Sequence, residues 1–577
     1  MRTLLAPETR AGHGSGHLRR AIGLLSKMPN ASLLIEQEDG RLGEFLAGVP
    51  RDRIVGRAEG EWDRIVIDRF SVDDEQIRRF AALGFTIGID AGGSGRSWCD
   101  YLIDTLPRLD ADPANEYEPA YLELPEPGSR DEVRPGSILV SFGGEDPAML
   151  TESTVSLLVS AGYGESVTVV SPSMRKLGEL PSGPTVLDPQ PSLIPLLRQA
   201  ECVVTSYGLT AHEARAVAAR VVTISPTGYH DRLARAAGFA RAGVGSPRPR
   251  RLLALVRRPA TADSAAPRTT PKCLAERIIE LPEPAHRGCP AHPHSFGRAV
   301  RRSPEKSYFR CEACGVVYLE RFARDEESYG TAYFMEEYRA QYGRTYLEDF
   351  DQILALSRVR LDRALRIGRG PVRHVLDVGC AYGPFLAAAK DRGLEPYGID
   401  VAAEAIAHVR GLGIPAACGS ILDLDIGRAL ERESFDLVTL WYVVEHFDRL
   451  DLLMERLVRI VRPGGVLAMS TPFGRGVSAR RTPDRFYDSS PRDHHTIWDR
   501  SSASRILDEY GFRVSRFVIT GHHPERYPLV HRLRRRRLGP VPGRLSGRLA
   551  ALHSRLFGWG DTFEIYAVRE GPCSERF

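Results

Sequence analysis

The chain has 577 residues, 42% hydrophobic and 26% charged, with a net charge of +4 and nine cysteines. That length exceeds what one hydrophobic core can hold and predicts roughly three or four domains, while the near-balanced charge argues against wholesale nucleic-acid binding. No stretch is long and apolar enough for a membrane-spanning helix. The first residues, MRTLLAPETRAGHG, lack the basic start and apolar run of a secretory leader. The cysteines are mostly scattered, so a reducing, cytoplasmic setting is expected rather than a disulfide framework.

From the first residue to about 245, short apolar runs alternate with amphipathic stretches. The runs fall at 3–6, 32–35, 64–67, 85–89, 137–142, 166–170, 202–205 and 220–224. Runs of this length between helical patterns predict parallel sheets covered by helices. The Pro/Gly/charge-rich stretch ELPEPGSRDEVRPGS divides them into subdomains at 1–130 and 136–245. The first run leads into a glycine-rich turn, AGHGSGHLRR, that opens a helix near His17; backbone amides at Gly14 and Gly16 would receive a phosphate or a sugar hydroxyl. The second subdomain opens with ILVSFGGEDP, a strand ending in Gly143 and Gly144. SYGLTAHEARAVAARVVTISP then runs from loop to helix to strand, with Glu213 expected on the helix's first turn.

These three stretches resemble the UDP-sugar hydrolase family of pseudaminic acid biosynthesis and related two-lobed, glycosyltransferase-B-like proteins. GSGHLRR is similar to the family's G-x-G-H-x-x-R, and SFGGEDP to its S-F-G-G-x-D-P. The resemblance implies that His17 activates water or an acceptor, and that Gly143, Gly144 and Glu213 contact a nucleotide diphosphate and its ribose. Hydrolysis, glycosyl transfer and a purely sugar-binding role all stay open.

Residues 246–286 are rich in Arg, Pro and Ala and read as a linker with one short basic helix. Residues 287–323 hold Cys289-Pro-Ala-His292 and Cys311-Glu-Ala-Cys314, with an 18-residue spacer. Each pair sits on a tight turn, so the four side chains can converge on one tetrahedral ion; His294 is a rival to His292. This resembles the zinc-ribbon-like segment that precedes some sugar and small-molecule methyltransferases. Four ligands leave no open position, so a structural zinc is expected. A tyrosine-rich stretch at 329–346 reads as partly helical.

Next comes HVLDVGCAYGPFLAAAK, which reads strand, tight turn, helix, with Ala381 where a dinucleotide loop has its middle glycine. Asp377 precedes Gly379. An acid there would repel a pyrophosphate but suits an amino acid's ammonium, which favours S-adenosylmethionine (SAM) over NAD. The next strand ends in Asp400, 23 residues after Asp377, the spacing of a carboxylate that grips a ribose diol. CGSILDLD places Ser420 and Ile421 beside an adenine. SFDLVTLWYVVEHF is a buried strand running into Trp441, on the cofactor's side, and on to Glu445 and His446. RPGGVL then supplies a turn and a further strand.

In order and spacing these motifs resemble class I SAM-dependent methyltransferases over 350–570. The resemblance implies a Rossmann-like, seven-stranded sheet and a cofactor set of Asp377, Gly379, Ala381, Gly383, Asp400, Ser420, Ile421 and Trp441. The segment SRDHHTIWDRSSASRILDEYGFRV is similar to a loop of that superfamily. It would bring His494 and His495 over the methyl group. With His446 they are the candidates for taking a proton from the acceptor; shaping the pocket is the equally weighted alternative. A basic insertion at 524–558 reads as a lid over the acceptor site, a membrane-surface helix or a solvated excursion.

The whole predicts a multidomain α/β protein with a two-lobed first half, a small ribbon and a methyltransferase sheet. Its expected function is methylation of a sugar or related small molecule, fused to a nucleotide-sugar hydrolase or glycosyltransferase-like half in surface-glycan biosynthesis. A non-catalytic sugar-binding first half, or a protein or RNA methyltransferase, are the alternatives.

Overall fold

A computed structural model describes all residues except 11–15, 37–41, 110–111, 127–132, 145, 173–174, 191, 218, 259–271, 323–342, 522–551, 553–555 and 571–577. Gly14, most of the tyrosine-rich stretch and nearly all of the basic insertion therefore lie outside the described residues. The chain forms two compact units, Met1–Leu281 and Pro282–Phe577.

The first unit contains two parallel sheets. One is built from β1 (Thr3–Pro7), β2 (Ala31–Leu34), β3 (Ile54–Val55), β4 (Arg64–Asp68), β5 (Phe85–Ile89), β6 (Tyr101–Asp104) and β7 (Glu116–Tyr117), in the order β3-β2-β1-β4-β5-β6-β7. The other comprises β8 (Arg134–Val140), β9 (Val167–Val170), β10 (Thr185–Leu187), β11 (Ala200–Thr205), β12 (Arg220–Ser225) and β13 (Ala240–Val244), in the order β10-β9-β8-β11-β12-β13. β1, β4 and β5 are buried at every residue, as continuous apolar runs covered on both faces must be. Apolar clusters flank the second sheet on both sides, around Val140 and Val204 on one and Leu139 and Val203 on the other. The alternation follows from the two-residue period of a strand.

The segment 246–286 carries more structure than a linker. It holds helices Pro249–Val256 and Leu274–Glu280. Leu252 and Val256 enter the second sheet's core. Arg277 of the second helix reaches the Tyr101 hydroxyl at 3.0 Å and pairs with Glu116, so the chain returns to the first sheet. These anchors join residues far apart in sequence, which local composition does not register.

The second unit begins with an antiparallel sheet of β14 (Gly297–Arg302), β15 (Lys306–Cys311) and β16 (Val317–Arg321). A larger sheet follows: β17 (His374–Val378), β18 (Glu395–Asp400), β19 (Ala416–Cys418), β20 (Phe435–Trp441) and β21 (Val461–Pro472). β22 (Thr496–Ile497) leaves that sheet and pairs with β16, while β23 (Phe512–Thr520) and β24 (Thr562–Arg569) complete it. The larger sheet has seven strands in the order β19-β18-β17-β20-β21-β24-β23, and only the pairs made by β24 are antiparallel. Pro463-Gly464-Gly465, expected as a turn ahead of a strand, instead lies within β21 as a register shift against β20. Both sheets share one core, in which Cys289, Cys311, Phe309 and Tyr318 cluster with Leu440, Met469, Trp498 and Phe563.

Candidate functional site

The carboxyl ends of β17, β18 and β20 define the principal site in the second unit. Gly379 turns the chain after β17 at φ 70°, and a Cβ there would meet the Val443 side chain at 2.4 Å, so only glycine fits. The amides of Gly379 and Cys380 both donate to the Ile399 carbonyl, at 2.7 and 3.1 Å. Ala381 takes a left-handed conformation at φ 46°, and Gly383 precedes the helix Pro384–Asp391 at φ 81°. Asp400 braces this turn: one carboxylate oxygen accepts from the Ala381 amide at 2.8 Å, the other from Ala402 at 2.9 Å.

Asp377 is buried at the end of β17 and accepts the Thr439 hydroxyl at 2.5 Å. Burial pushes its carboxyl up to about 7, against the Thr439 hydrogen bond and the nearby charge of Arg360. Burial likewise raises Asp400. Two strand-end carboxylates beside a glycine turn suit a ligand that carries an ammonium and a diol. Trp441 packs on Phe385 with ring centroids 5.4 Å apart, under the Arg360 guanidinium 4.4 Å from its ring. Its indole N–H is buried without a partner among the described residues. Ser420 accepts from the Leu422 amide at 3.2 Å, and Ile421 is buried in the core beside Leu440 and Val378.

Beyond Trp441, a short 3₁₀ turn, Val444–His446, delivers Glu445 and His446. His446 Nδ1 lies 2.8 Å from an Asp493 carboxylate oxygen, and the His446 and His494 rings meet edge-on at 4.8 Å. The His495 amide donates to the Glu445 carbonyl at 2.8 Å. Thus the His446 and His494 rings lie together, and His495 joins them through its backbone. Glu445 is buried, and desolvation pushes its carboxyl up to about 7. Burial lowers His494 to about 4 and also lowers His495. Burial opposes protonation of His446 too, but the Asp493 hydrogen bond and the charges of Glu445 and Asp493 together outweigh it and raise the imidazole. Sequence reasoning passed over Asp493 and gave Glu445 no role. The DHH tripeptide was the available signal for Asp493.

The Cys289, His292, Cys311 and Cys314 side chains converge, with their ligand atoms all within 4.8 Å of one another. Cys289 Sγ lies 3.9 Å from both Cys314 Sγ and His292 Nδ1. About 3.8 Å separates sulfurs bound to one tetrahedral zinc, so the four residues fit such an ion. His292 Nε2 meets a Glu509 carboxylate oxygen at 2.8 Å, the orienting contact expected of a metal-binding histidine. His294 is exposed and stands outside the set.

In the first unit His17 sits at the start of the helix Gly16–Lys27, with its Nδ1 2.6 Å from Asp68 Oδ1. Arg20, one turn on, holds Asp68 at 2.7 Å and Asp90 at 2.6 Å. Asp68 and Asp90 were missed because each is a single carboxylate at the end of an unremarkable apolar run. Gly143 and Gly144 follow β8, Gly143 at φ 83°. Glu213 lies in the second turn of the helix Leu209–Ala216 rather than the first, and burial raises its carboxyl against the charge of Arg19. Phe70, just after β4, stacks on His230, after β12, at 5.9 Å. The carboxyl ends of the two parallel sheets therefore meet.

The second unit is thus an α/β domain with a candidate ligand site at the carboxyl edge of its parallel strands. A family profile described as a methyltransferase domain matches residues 346–516, and the C-terminal region carries such a domain. Among curated proteins, the chain is 30% identical over 138 residues to the ubiquinone biosynthesis O-methyltransferase of Nitrobacter winogradskyi, covering 22% of this chain and 49% of that protein. It is 32% identical over 118 residues to the malonyl-[acyl-carrier protein] O-methyltransferase of Enterobacter lignolyticus, covering 20% and 46%. The chain spans about half the length of the curated relatives it matches. A solved SAM-dependent methyltransferase from Archaeoglobus fulgidus is 18% identical, with 41% of this chain and 100% of that one aligned and a TM-score of 0.29. Among the described residues no helix is long and apolar enough to cross a membrane.

Proposed function

We propose that the C-terminal region transfers a methyl group from SAM to a sugar or related small molecule. The observation that carries this reading is the pair of strand-end carboxylates, Asp377 and Asp400, on either side of the Gly379–Gly383 turn, next to the Glu445–His446–Asp493–His494 cluster. SAM supplies an electrophilic methyl on a sulfonium sulfur. Asp377 would hold its ammonium and Asp400 its ribose diol, with Trp441 closing one side. Ser420 and Ile421 would border the adenine, Ser420 through its loop and Ile421 through backbone, since its side chain is in the core. The histidine cluster would receive the acceptor and promote loss of its proton. Cys289, His292, Cys311 and Cys314 would hold a structural zinc that stabilises the small antiparallel sheet.

Titration calorimetry tests the donor site. SAM is expected to bind at one per chain, and Asp400→Ala to weaken it by about 100-fold, the cost of an unmet charged hydrogen bond. Affinity should also rise with pH and level off above about 7, because Asp377 must be ionised to hold an ammonium. Undiminished binding by Asp400→Ala would sink the assignment. Radiolabelled SAM with nucleotide sugars, lipids and RNA in parallel then identifies the acceptor class.

A second reading concerns the first unit, which we infer acts on a nucleotide sugar in a two-lobed, glycosyltransferase-B-like cleft. The His17–Asp68 pair supports it: a buried carboxylate on Nδ1 sets the imidazole to take a proton at Nε2. Gly143, Gly144 and Glu213 would bind the diphosphate and ribose. Turnover of a UDP-sugar is expected, and His17→Ala should abolish it while leaving UDP binding intact. A chain that binds neither UDP nor UDP-sugars defeats this reading.

A further inference from the structure

Glu445 is the least satisfied acid described in the second unit. It is 1% exposed, and neither carboxylate oxygen makes a hydrogen bond of good geometry among the described residues. The Thr471 hydroxyl stands beside it, and the charge of His446 favours the acid's ionised form. A carboxylate out of water with so few hydrogen bonds is costly, and a cation would offset that cost. Two histidines face it. One ligand atom each from Glu445, His446 and His494 lies within 4.8 Å of the other two.

One ring nitrogen of His446 is already committed. Nδ1 is engaged by Asp493 at 2.8 Å, which leaves Nε2 with its lone pair directed away from that contact. The cysteine set uses the same arrangement, where Glu509 engages one nitrogen of His292 and the other faces the thiols. Such a carboxylate behind a histidine fixes the tautomer that a cation needs.

We propose that Glu445, His446 and His494 hold a divalent cation, distinct from any ion in the cysteine set. Two imidazoles and one carboxylate suit zinc, manganese, iron(II) or cobalt, and the nitrogen donors disfavour calcium. Three protein ligands leave positions open, unlike the closed set of three thiols and one imidazole. Those positions would accept oxygens of the methyl acceptor: one hydroxyl, or two on adjacent carbons. The ion lowers the pKa of that hydroxyl. The proton leaves to solvent, an oxygen lone pair forms the bond to the methyl carbon, and the carbon–sulfur bond breaks with its electrons going to sulfur. This substrate class rests on the methyltransferase reading above.

Cobalt(II) added to the protein carrying one zinc per chain tests the site. The expected result is one cobalt per chain with weak visible bands and no intense thiolate charge-transfer band. Glu445→Gln and, separately, His494→Gln should weaken that binding at least tenfold, while SAM affinity stays within about threefold. His494 is only partly buried, so its variant keeps the test usable if Glu445→Gln does not fold. Cobalt that binds only with a thiolate band, or equally well to both variants, overturns the proposal. Failure of the unmodified chain to bind SAM would count against the methyltransferase reading and not against the cation site.

Discussion

Cys311→Ser is expected to lower methyl transfer about 100-fold while changing SAM affinity by no more than about threefold. The reason is a backbone splint. Cys311 ends β15, and β16 carries the small sheet onward to β22 through Val317↔Ile497 and Tyr318↔Thr496. The Leu319 amide donates to the His495 carbonyl at 3.0 Å, and the His495 amide donates to the Glu445 carbonyl at 2.8 Å. The cysteine set is thus connected through these backbone contacts to the acid and histidines of the proposed acceptor site. A misplacement of about 1 Å there suffices for a loss of that size. Asp377 and Asp400 stand on β17 and β18, which do not pair with the small sheet. Calorimetry with SAM, hydrogen exchange over 494–497 and a metal assay check this. Full methyl transfer by a metal-depleted Cys311→Ser protein would show that the small sheet does not position the histidines.

In the first unit, Arg20→Leu is expected to cost about 3–5 kcal/mol, the usual penalty for stranding buried partners. Arg20 is 18% exposed; its guanidinium serves Asp68, Asp90 and the Thr105 hydroxyl, the last at 3.1 Å. Desolvation opposes ionisation of Asp68, but Arg20 and then His17 overcome it and hold its carboxyl down to about 2. A carboxylate held below its ordinary value stabilises the fold above about pH 4, and that contribution is lost as pH falls toward 2. The penalty of Arg20→Leu should therefore be full at neutral pH and shrink in acid. Chemical denaturation, followed by hydrogen exchange at amides of β1, β4 and β5, measures it. A cost under 1 kcal/mol at pH 7 would mean that water already satisfies the two aspartates.

Much of this architecture is legible in the chain. The runs at 64–67 and 85–89 become β4 and β5 because a strand buried on both faces must be continuously apolar. Two-residue strands such as β3 and β7 are too short to carry a pattern, and β13, with the sequence ARAGV, has too few apolar residues. Ala381 falls where glycine is usual, and it adopts the left-handed backbone that the turn requires. His292 belongs to the expected ligand set, but the contact that orients it comes from Glu509, 217 residues away. The same distance effect hid Asp68 from His17 and the pairing of β22 with β16. Motifs announce residues that lie close together in sequence; the partners that tune them come from other strand ends.

The position of β24 bears on how the protein is made. This strand is not an edge: it lies between β21 and β23, and its Glu564, fully buried, receives Arg360 and Arg363 from the helix Phe350–Leu365 that precedes β17. On the ribosome, the first five strands of the sheet are complete by residue 472, yet β21 keeps an open side until residues 562–569 emerge. During that interval two arginines lack their carboxylate and a hydrophobic strand edge stays available to any passing chain. Co-translational chaperone capture should therefore concentrate between those two points, and a truncation before 562 should leave an aggregation-prone product rather than a smaller working domain.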